Sequence, residues 1–317
     1  MPERHASQAD ADHWSTYWAR GVLTSLPDDF RANYDGEIAR FWHALFADLP
    51  DPAEVLDACT GNGALALLAA SFARDHDRAF RITAVDAARI QPRRAAAEHA
   101  GLESLLERIR FVDRTPLERF DSEPARFDLV ASQYGLEYCD PAVVGPRLAA
   151  MLKPGGRLAM LCHALESDML ATMRGEADEY RLLDELNIPR LLGAWLSGQL
   201  ASADFRRRLE RAGRDLMTRH QRKPSPLYSY ALAMIRHVGA VDEAGLKASR
   251  GALADARAQL VSGRARLEDM LAANRLMADP DWHHPYREAG LELVDDAPLR
   301  YRQRHHVGHY YVFVRPG

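Results

Sequence analysis

Apolar runs of strand length alternate with helix-like segments between residues 53 and 163. The strand-like runs are EVLDAC, FRITAVDA, RIRFVD, FDLVASQY and GGRLAMLCH. The segments between them that favour helices are ALALLAASFARD, ARIQPRRAAAEHAG and PAVVGPRLAAMLK. Strands that alternate with helices predict a parallel sheet covered on both faces.

The C-terminal part of the chain has a different pattern. LELVDDAPLRY and HHVGHYYVFVRP are strand-like and have no helix-length spacer between them, so they should pair as an antiparallel hairpin. The predicted fold class is therefore α/β. It is a doubly wound, mostly parallel seven-stranded sheet with a terminal antiparallel hairpin, plus an all-helical insertion between strands 5 and 6.

The insertion, residues 164–280, contains apolar residues at helical spacing and no convincing strand. Leucines recur in it every seven residues, at Leu246, Leu253, Leu260 and Leu267. This repeat favours core packing within a helical hairpin or, alternatively, a homodimer seam. The predicted domains are an N-terminal helical cap (1–52), a core (53–163 and 281–317) and a helical lid or dimerisation insertion (164–280).

Composition narrows the class of partner. The formal charge is −4 and the pI is about 6.4, which give no global attraction for nucleic acid or an anionic membrane. The three cysteines are an odd number in a long chain, so a disulfide framework is not expected. The first residues lack an apolar leader and no segment has 18 uninterrupted apolar residues. We expect a cytoplasmic protein with a small-molecule substrate and no membrane or nucleic-acid partner.

The stretch VLDACTGNGALALLAA places glycines between a strand and a helix, where open parallel sheets bind ligands. A P-loop is excluded, because no Gly-Lys-Ser/Thr follows at the required spacing. Gly61, Gly63 and Ala66 satisfy only a loose dinucleotide pattern. Three acids also end successive strands: Asp57, which could accept hydrogen bonds from an ammonium group or organise the loop; Asp86, suited to ribose hydroxyls; and Asp113, suited to an adenine amino group.

These acids suit an adenosyl ligand that carries an amino acid. VLDACTGNGALALLA, ITAVDA, FVDRTPL, FDLVASQYGLEY and LKPGGRLAML occur in an order that resembles the class I S-adenosylmethionine-dependent methyltransferases. The resemblance covers residues 30–163 and 283–314, and it departs from the family's acid-x-G-x-G-x-G loop where Cys59 stands at the first glycine. It implies S-adenosyl-L-methionine as cofactor and S-adenosyl-L-homocysteine as product.

The resemblance also implies a set of cofactor-binding residues. They are Asp57, Ala58, Cys59, Gly61, Asn62, Gly63, Asp86, Ala87, Asp113, Arg114, Ser132, Gln133, Tyr17 and Tyr34. Trp14 and Trp18 share a helix face with Tyr17, and this N-terminal helix should fold over the cofactor. Ordinary hydrophobic packing is the alternative role of these aromatic residues.

Methyl transfer is an in-line displacement, so the protein mainly supplies alignment, exclusion of water and sometimes a base. The stretch after the fourth strand offers Tyr134 and Glu137, and the fifth strand is followed by His163. Glu137 is the first candidate for a base or for binding an amine, although it could be a surface acid that begins a helix. His163 could act near neutral pH or be a satisfied buried histidine.

No metal site is predicted. His305 and His309 lie roughly 13 Å apart if they stand on a strand, too far for one tetrahedral ion.

Several functions remain open at this point. The leading hypothesis is an enzyme that methylates a small molecule. An RNA methyltransferase could use the arginine-rich segment 206–214, which is otherwise a solvated helix face. A NAD-dependent oxidoreductase would reuse the glycine turn, and a non-catalytic protein could have kept the cofactor site. The residues do not distinguish nitrogen, oxygen, sulfur and carbon acceptors.

Overall fold

The computed structural model describes residues 12–25, 30, 32–99, 101–164 and 168–317. The chain divides into two compact units. The first comprises Met1–Ala171 and Asp269–Gly317, and the second comprises Thr172–Glu268.

A seven-stranded sheet forms the centre of the first unit, with strand order β3-β2-β1-β4-β5-β7-β6. The strands are β1 (Ala53–Ala58), β2 (Phe80–Val85), β3 (Ile109–Val112), β4 (Phe127–Gln133), β5 (Leu152–Cys162), β6 (Glu292–Tyr301) and β7 (His305–Val314). The first five are parallel to one another, and β7 runs antiparallel to both β5 and β6. The predicted mostly parallel sheet with a terminal hairpin is confirmed.

Helices cover both faces of this sheet, as the alternating sequence pattern predicts. They are α1 (Asp12–Trp18), α2 (Gly36–Ala47), α3 (Ala64–Asp75), α4 (Pro92–Ala97), α5 (Pro141–Met151) and, near the C-terminus, α12 (His284–Glu288). Adjacent residues of β1 point to opposite faces: Val55 packs in the core with α2 and α3, whereas Leu56 packs in the core with α5 and α12. Both faces of β1 are therefore buried, which explains why the adjacent residues Val55 and Leu56 are both apolar.

Two predicted boundaries are wrong. The helix expected over residues 88–101 is confined to Pro92–Ala97. Pro92 lies in its first turn, and Glu98 is its C-cap. The fifth strand begins at Leu152, before the Lys-Pro-Gly-Gly turn, because Leu152 pairs with Phe127 ahead of a register shift in the β4–β5 ladder. Gly155 lies in this irregular part with φ +77°.

The described residues of the second unit form helices and the turns that connect them, with no strand. Its helices are α7 (Ile188–Leu196), α8 (Ser202–Arg222), α9 (Pro226–Ala240) and α10 (Glu243–Ala248), together with most of α6 (Asp168–Glu185) and α11 (Arg250–Leu276). The heptad leucines do not share one helix, because α10 ends before Ser249 and α11 begins after it. All four are buried. None of the described helices has the length and apolarity needed to cross a membrane.

Candidate functional site

The turn between β1 and α3 is organised by the carboxylate near the end of β1. Asp57 is only 2% exposed, and its Oδ2 accepts hydrogen bonds from Thr60 Oγ1 at 2.5 Å and from the Ala66 backbone N–H at 2.9 Å. Burial raises the pKa of Asp57 from 3.8 to about 7, and these two hydrogen bonds oppose the rise. The side chain therefore holds the loop together, one of the two roles left open by the sequence.

Asp86, just after β2, connects the same turn to the neighbouring strand. Its Oδ2 accepts from the Gly61 N–H and its Oδ1 from the Ala88 N–H, both at 2.7 Å. Burial raises the pKa of Asp86 to about 6, with the two backbone hydrogen bonds acting in the opposite direction. Each carboxylate oxygen can accept more than one hydrogen bond, so Asp86 keeps acceptor capacity for the ribose predicted there.

Gly61 and Gly63 are required by the backbone of the turn. Both have positive φ, at 55° and 92°. A Cβ on Gly61 would lie 2.4 Å from the Trp18 ring, and one on Gly63 would lie 2.8 Å from the Phe111 ring. Backbone and aromatic rings therefore approach more closely here than a side chain would permit.

The aromatic helix α1 lies against the glycine turn itself. Trp18 packs with Tyr17, Ala88 and Ile90, and its indole covers Gly61. The fully buried Asn62 side chain donates to the carbonyls of Trp18 and Val22 at 3.0 and 2.7 Å. Its Oδ1 accepts from the Gln91 N–H at 2.7 Å. The Asn62 side chain thus attaches α1 to the turn, and the cofactor contact expected of Asn62 stays a prediction.

Two predicted cofactor-binding tyrosines are engaged with nearby loop residues. Tyr17 donates to the carbonyls of Thr24 and Ser25. Tyr34 is buried in the core with its hydroxyl 3.3 Å from Ser25 Oγ, and burial raises its pKa to about 12.

The remaining predicted positions at the strand ends differ in exposure. Asp113 and Arg114 follow β3 and are exposed, and Ala87 is half-buried after β2. Ala58 is buried at the end of β1, where its carbonyl accepts a hydrogen bond from Ser132 Oγ at 2.8 Å.

The loop after β4 lies directly on the glycine turn. A Cβ on Gly135 would lie 2.4 Å from the Cys59 Cβ, so these two backbones are in close contact. Gln133 is buried at the end of β4, and its Oε1 accepts from Trp42 Nε1 at 2.6 Å. Its Nε2 is buried and has no hydrogen-bond partner in the described part of the chain. Gln133 therefore presents an unused donor beside the turn.

Glu137 and His163 form a buried pair across the ends of β4 and β5. Glu137 Oε1 accepts from the His163 backbone N–H at 3.0 Å and lies 2.7 Å from His163 Nδ1. The two residues are 1% and 3% exposed. Tyr134 packs on the imidazole, with ring centroids 4.7 Å apart, and its hydroxyl donates to the Val307 carbonyl. The structure thus brings together the three catalytic candidates.

Two residues of this site were missed by the sequence analysis. Thr60 and Trp42 orient Asp57 and Gln133, respectively. The position of the Thr60 hydroxyl, three residues after Asp57, is a local sequence signal for its role. Trp42 lies 91 residues from its partner Gln133, so no local pattern indicates their contact.

The two histidines considered for a metal site have other neighbours. His309 Nε2 lies 2.9 Å from Asp296 Oδ2, and His305 pairs with Tyr301 across the hairpin.

Comparison with known proteins decides the family. A family model described as a methyltransferase domain matches residues 30–216, more than half of the chain. The chain belongs to this methyltransferase family. It is a class I methyltransferase, and S-adenosyl-L-methionine is its methyl donor. The oxidoreductase alternative raised by the glycine turn is therefore wrong.

Solved structures resemble the chain at low identity. A chain of the Haloferax volcanii complex between the Trm112 methyltransferase activator and a methyltransferase is 14% identical, with 96% of this chain and 99% of that chain covered and a TM-score of 0.46. A Burkholderia thailandensis 1,6-didemethyltoxoflavin-N1-methyltransferase is 26% identical, with 52% and 68% covered and a TM-score of 0.34. A search of curated proteins gave no match.

The residues of the turn fit a methyl donor that carries an amino acid. The unpartnered Gln133 Nε2 can donate to a carboxylate, and the Asp57 and Asp86 carboxylates can accept from ammonium and hydroxyl groups. Gly61 and Gly63 have no side chains, so they do not themselves cover the backbone of the turn. Because the Trp18 ring lies on Gly61, that ring must shift for a ligand to reach the Gly61 backbone from its side.

Proposed function

We propose that this enzyme transfers the methyl group to a small-molecule acceptor that loses a proton during the reaction, and that His163 takes this proton. The observation that supports the proposal is the buried Glu137–His163 pair at the ends of β4 and β5. Such an arrangement is typical of a histidine base held by a carboxylate.

The hydrogen bonds of the pair support a different role for each of its two members. Glu137 Oε1 accepts from His163 Nδ1, which places the proton of the neutral ring on Nδ1 and leaves Nε2 as the basic nitrogen. Nε2 can then take the acceptor's proton, while the Glu137 carboxylate stabilises the imidazolium that forms. In this proposal Glu137 is a positioning residue, and His163 rather than Glu137 is the base.

Burial of the pair favours a small acceptor. The ring centroids of Tyr134 and Tyr138 lie 4.7 and 6.2 Å from that of the imidazole, and His163 is buried, so the environment of the proposed base is largely aromatic. Exclusion of water strengthens the interaction between the imidazolium and the carboxylate. A small substrate with a hydroxyl, phenol or protonated nitrogen suits this environment.

The arginine-rich helix α8 gives little support to an RNA substrate. Arg206 donates to the carbonyls of Val238 and Asp242, and Arg207 and Arg214 form ion pairs with Asp204 and Glu210 of the same helix. These arginines are engaged within the second unit. We also place the enzyme in the cytoplasm as part of the proposal, since its cysteines are free thiols.

The test combines turnover with a structural readout. A panel of hydroxyl, amine, thiol and carbon acceptors, with bulk RNA included, is incubated with labelled methyl donor. His163→Ala should lower kcat on the accepted small molecule by about 10²- to 10⁴-fold, the range for general base catalysis, and should leave the affinity for S-adenosyl-L-homocysteine unchanged. Glu137→Gln should lower kcat as well, whereas the exposed Glu107→Gln is the matched control.

Nitrogen NMR of the labelled imidazole gives the second readout. The neutral His163 ring should carry its proton on Nδ1 in the wild type and lose this preference in Glu137→Ala. Full turnover by His163→Ala, or a wild-type ring protonated on Nε2, would contradict the assignment. Label that enters RNA and no small molecule would overturn the proposed substrate class.

A further inference from the structure

Two of the three cysteines lie in contact at the glycine turn. Cys59 follows β1 and Cys139 follows the short loop after β4, and the two strands are parallel neighbours in the sheet. Their Sγ atoms are 3.7 Å apart. Both side chains are partly exposed, whereas Cys162 is fully buried. An oxidant that reaches this end of the sheet therefore meets Cys59 and Cys139 first.

We propose that Cys59 and Cys139 form a reversible disulfide that ties the glycine turn to the loop after β4 and weakens binding of the methyl donor. The proposal rests on the assignment of the glycine turn as the donor site, but formation of the disulfide can be measured without any ligand.

The geometry requires only a small movement. A disulfide has an S–S distance of about 2.05 Å, so the two sulfur atoms must approach by about 1.7 Å. Rotation about the Cα–Cβ bonds can supply part of this approach. The rest must come from the backbone, and there the two segments are already packed together, since a Cβ on Gly135 would lie 2.4 Å from the Cys59 Cβ.

The backbone at Cys59 explains why such a movement affects the turn. Cys59 has φ +60°, a left-handed conformation that is uncommon for a residue with a side chain. The next residue, Thr60, donates its N–H to the Val85 carbonyl, and Gly61 donates to Asp86. A displacement of Cys59 toward Cys139 pulls on both bonds. We therefore expect the disulfide to displace the backbone of the turn and Asp86 from the positions in which they would contact the methyl donor.

The chemistry needs a two-electron oxidant, and a peroxide is the class that we propose. One thiol is oxidised at sulfur by the peroxide to a sulfenic acid with release of water. The second thiol then attacks that sulfur, forms the S–S bond and releases a second water. The contact with Cys139 and burial raise the pKa of Cys59. Because the thiolate is the reactive form, the reaction should be slow near neutral pH and should require sustained exposure to peroxide. Small thiols reverse it by exchange.

The experiment uses the full chain with hydrogen peroxide as the probe. Intact mass should fall by about 2 Da, peptide mapping should join residues 59 and 139, and dithiothreitol should restore the starting mass. Cys162→Ser, the matched control, should behave as the wild type. Cys139→Ser and Cys139→Ala should form no intramolecular disulfide, and circular dichroism shows which of the two is folded.

Calorimetry with S-adenosyl-L-homocysteine tests the consequence. Its affinity should fall at least tenfold in the oxidised wild type and recover after reduction. Peroxide should leave the affinity of the folded Cys139 variant unchanged in samples whose intact mass shows no oxygen added to Cys59. A bond that involves Cys162, or oxidation that proceeds to sulfinic acid with no 59–139 peptide, would overturn the site. A 59–139 disulfide without a change in affinity would overturn the proposal that this disulfide weakens binding of the methyl donor. No binding by the reduced protein would instead count against the donor site itself.

Discussion

Asp57 gives the most quantitative prediction, because it is a buried carboxyl with a known set of neighbours. Burial raises its pKa from 3.8 to about 7, even though Thr60 and Ala66 both donate hydrogen bonds to its Oδ2. The folded protein therefore binds a proton at Asp57 more tightly than the unfolded chain does. This contribution to stability is fully present below about pH 4 and is lost as the pH rises toward 7.

The magnitude follows from the shift. A difference of about three pKa units corresponds to about 4 kcal/mol over the whole window. Between about pH 5 and pH 8 the folded protein should lose about 3 kcal/mol of unfolding free energy through this group. Asp57→Asn cannot ionise, so its stability should lack this part of the pH dependence, whatever constant cost the amide adds.

The assay is urea unfolding of the wild type and Asp57→Asn at several pH values across this window. The difference between the two proteins isolates Asp57, because Asp86 and the histidines titrate in both. Asp75→Asn, an exposed position at the end of α3, is the control and should follow the wild type. If the two unfolding curves run parallel from about pH 5 to pH 8, then the hydrogen bonds from Thr60 and Ala66 outweigh burial and the carboxylate stays ionised.

Four further predictions concern single side chains. Gly63→Val should abolish binding of S-adenosyl-L-homocysteine in calorimetry, because its Cβ would lie 2.8 Å from Phe111 in a left-handed backbone. Full affinity of this variant would show that the turn is not the donor site. Trp42→Phe should destabilise the protein to urea by about 1–3 kcal/mol, since it leaves the buried Gln133 Oε1 without its donor; no loss would show that water replaces the indole. Leu253→Ala should lower the free energy of unfolding by about 2–5 kcal/mol at every protein concentration, because Leu253 is buried within the second unit; a loss that depended on concentration would favour a dimer seam. Trp18→Phe should remove most of the tryptophan fluorescence change on binding S-adenosyl-L-homocysteine, since that indole covers Gly61; an unchanged amplitude would exclude its movement.

The sheet could be predicted from the sequence because its strands are buried on both faces or paired in a hairpin. β1, β2 and β4 each end in a stretch of consecutive buried residues, and α3 begins and ends where the alanine-rich segment does. The limits of α4 and β5 were harder to predict. Pro92 lies in the first turn of α4 and the helix ends at Ala97, while an irregular pairing with β4 makes β5 begin before its glycines.

The strand-end positions of the candidate site residues could be predicted, but the hydrogen bonds of their side chains could not. Glu137 and His163 are 26 residues apart, and their contact depends on the register of β4 against β5. Asn62 stands in the glycine turn, yet its bonds depend on where α1 packs. Local patterns report which residues end a strand, whereas hydrogen-bond partners are fixed by tertiary packing.

The order of strands along the chain has a consequence for protein synthesis. β5 pairs with β7, and Cys162 lies opposite His309, so 147 residues separate these partners. At about 5–20 residues per second, a ribosome needs roughly 7–30 s to make this stretch. During that time the nascent first unit has a strand edge at β5 that includes the apolar residues Met160 and Leu161. Unpaired apolar edges favour association between chains. Truncated chains that end before β6 should therefore aggregate, and production of the full protein should benefit from slower synthesis or from chaperones that cover this edge.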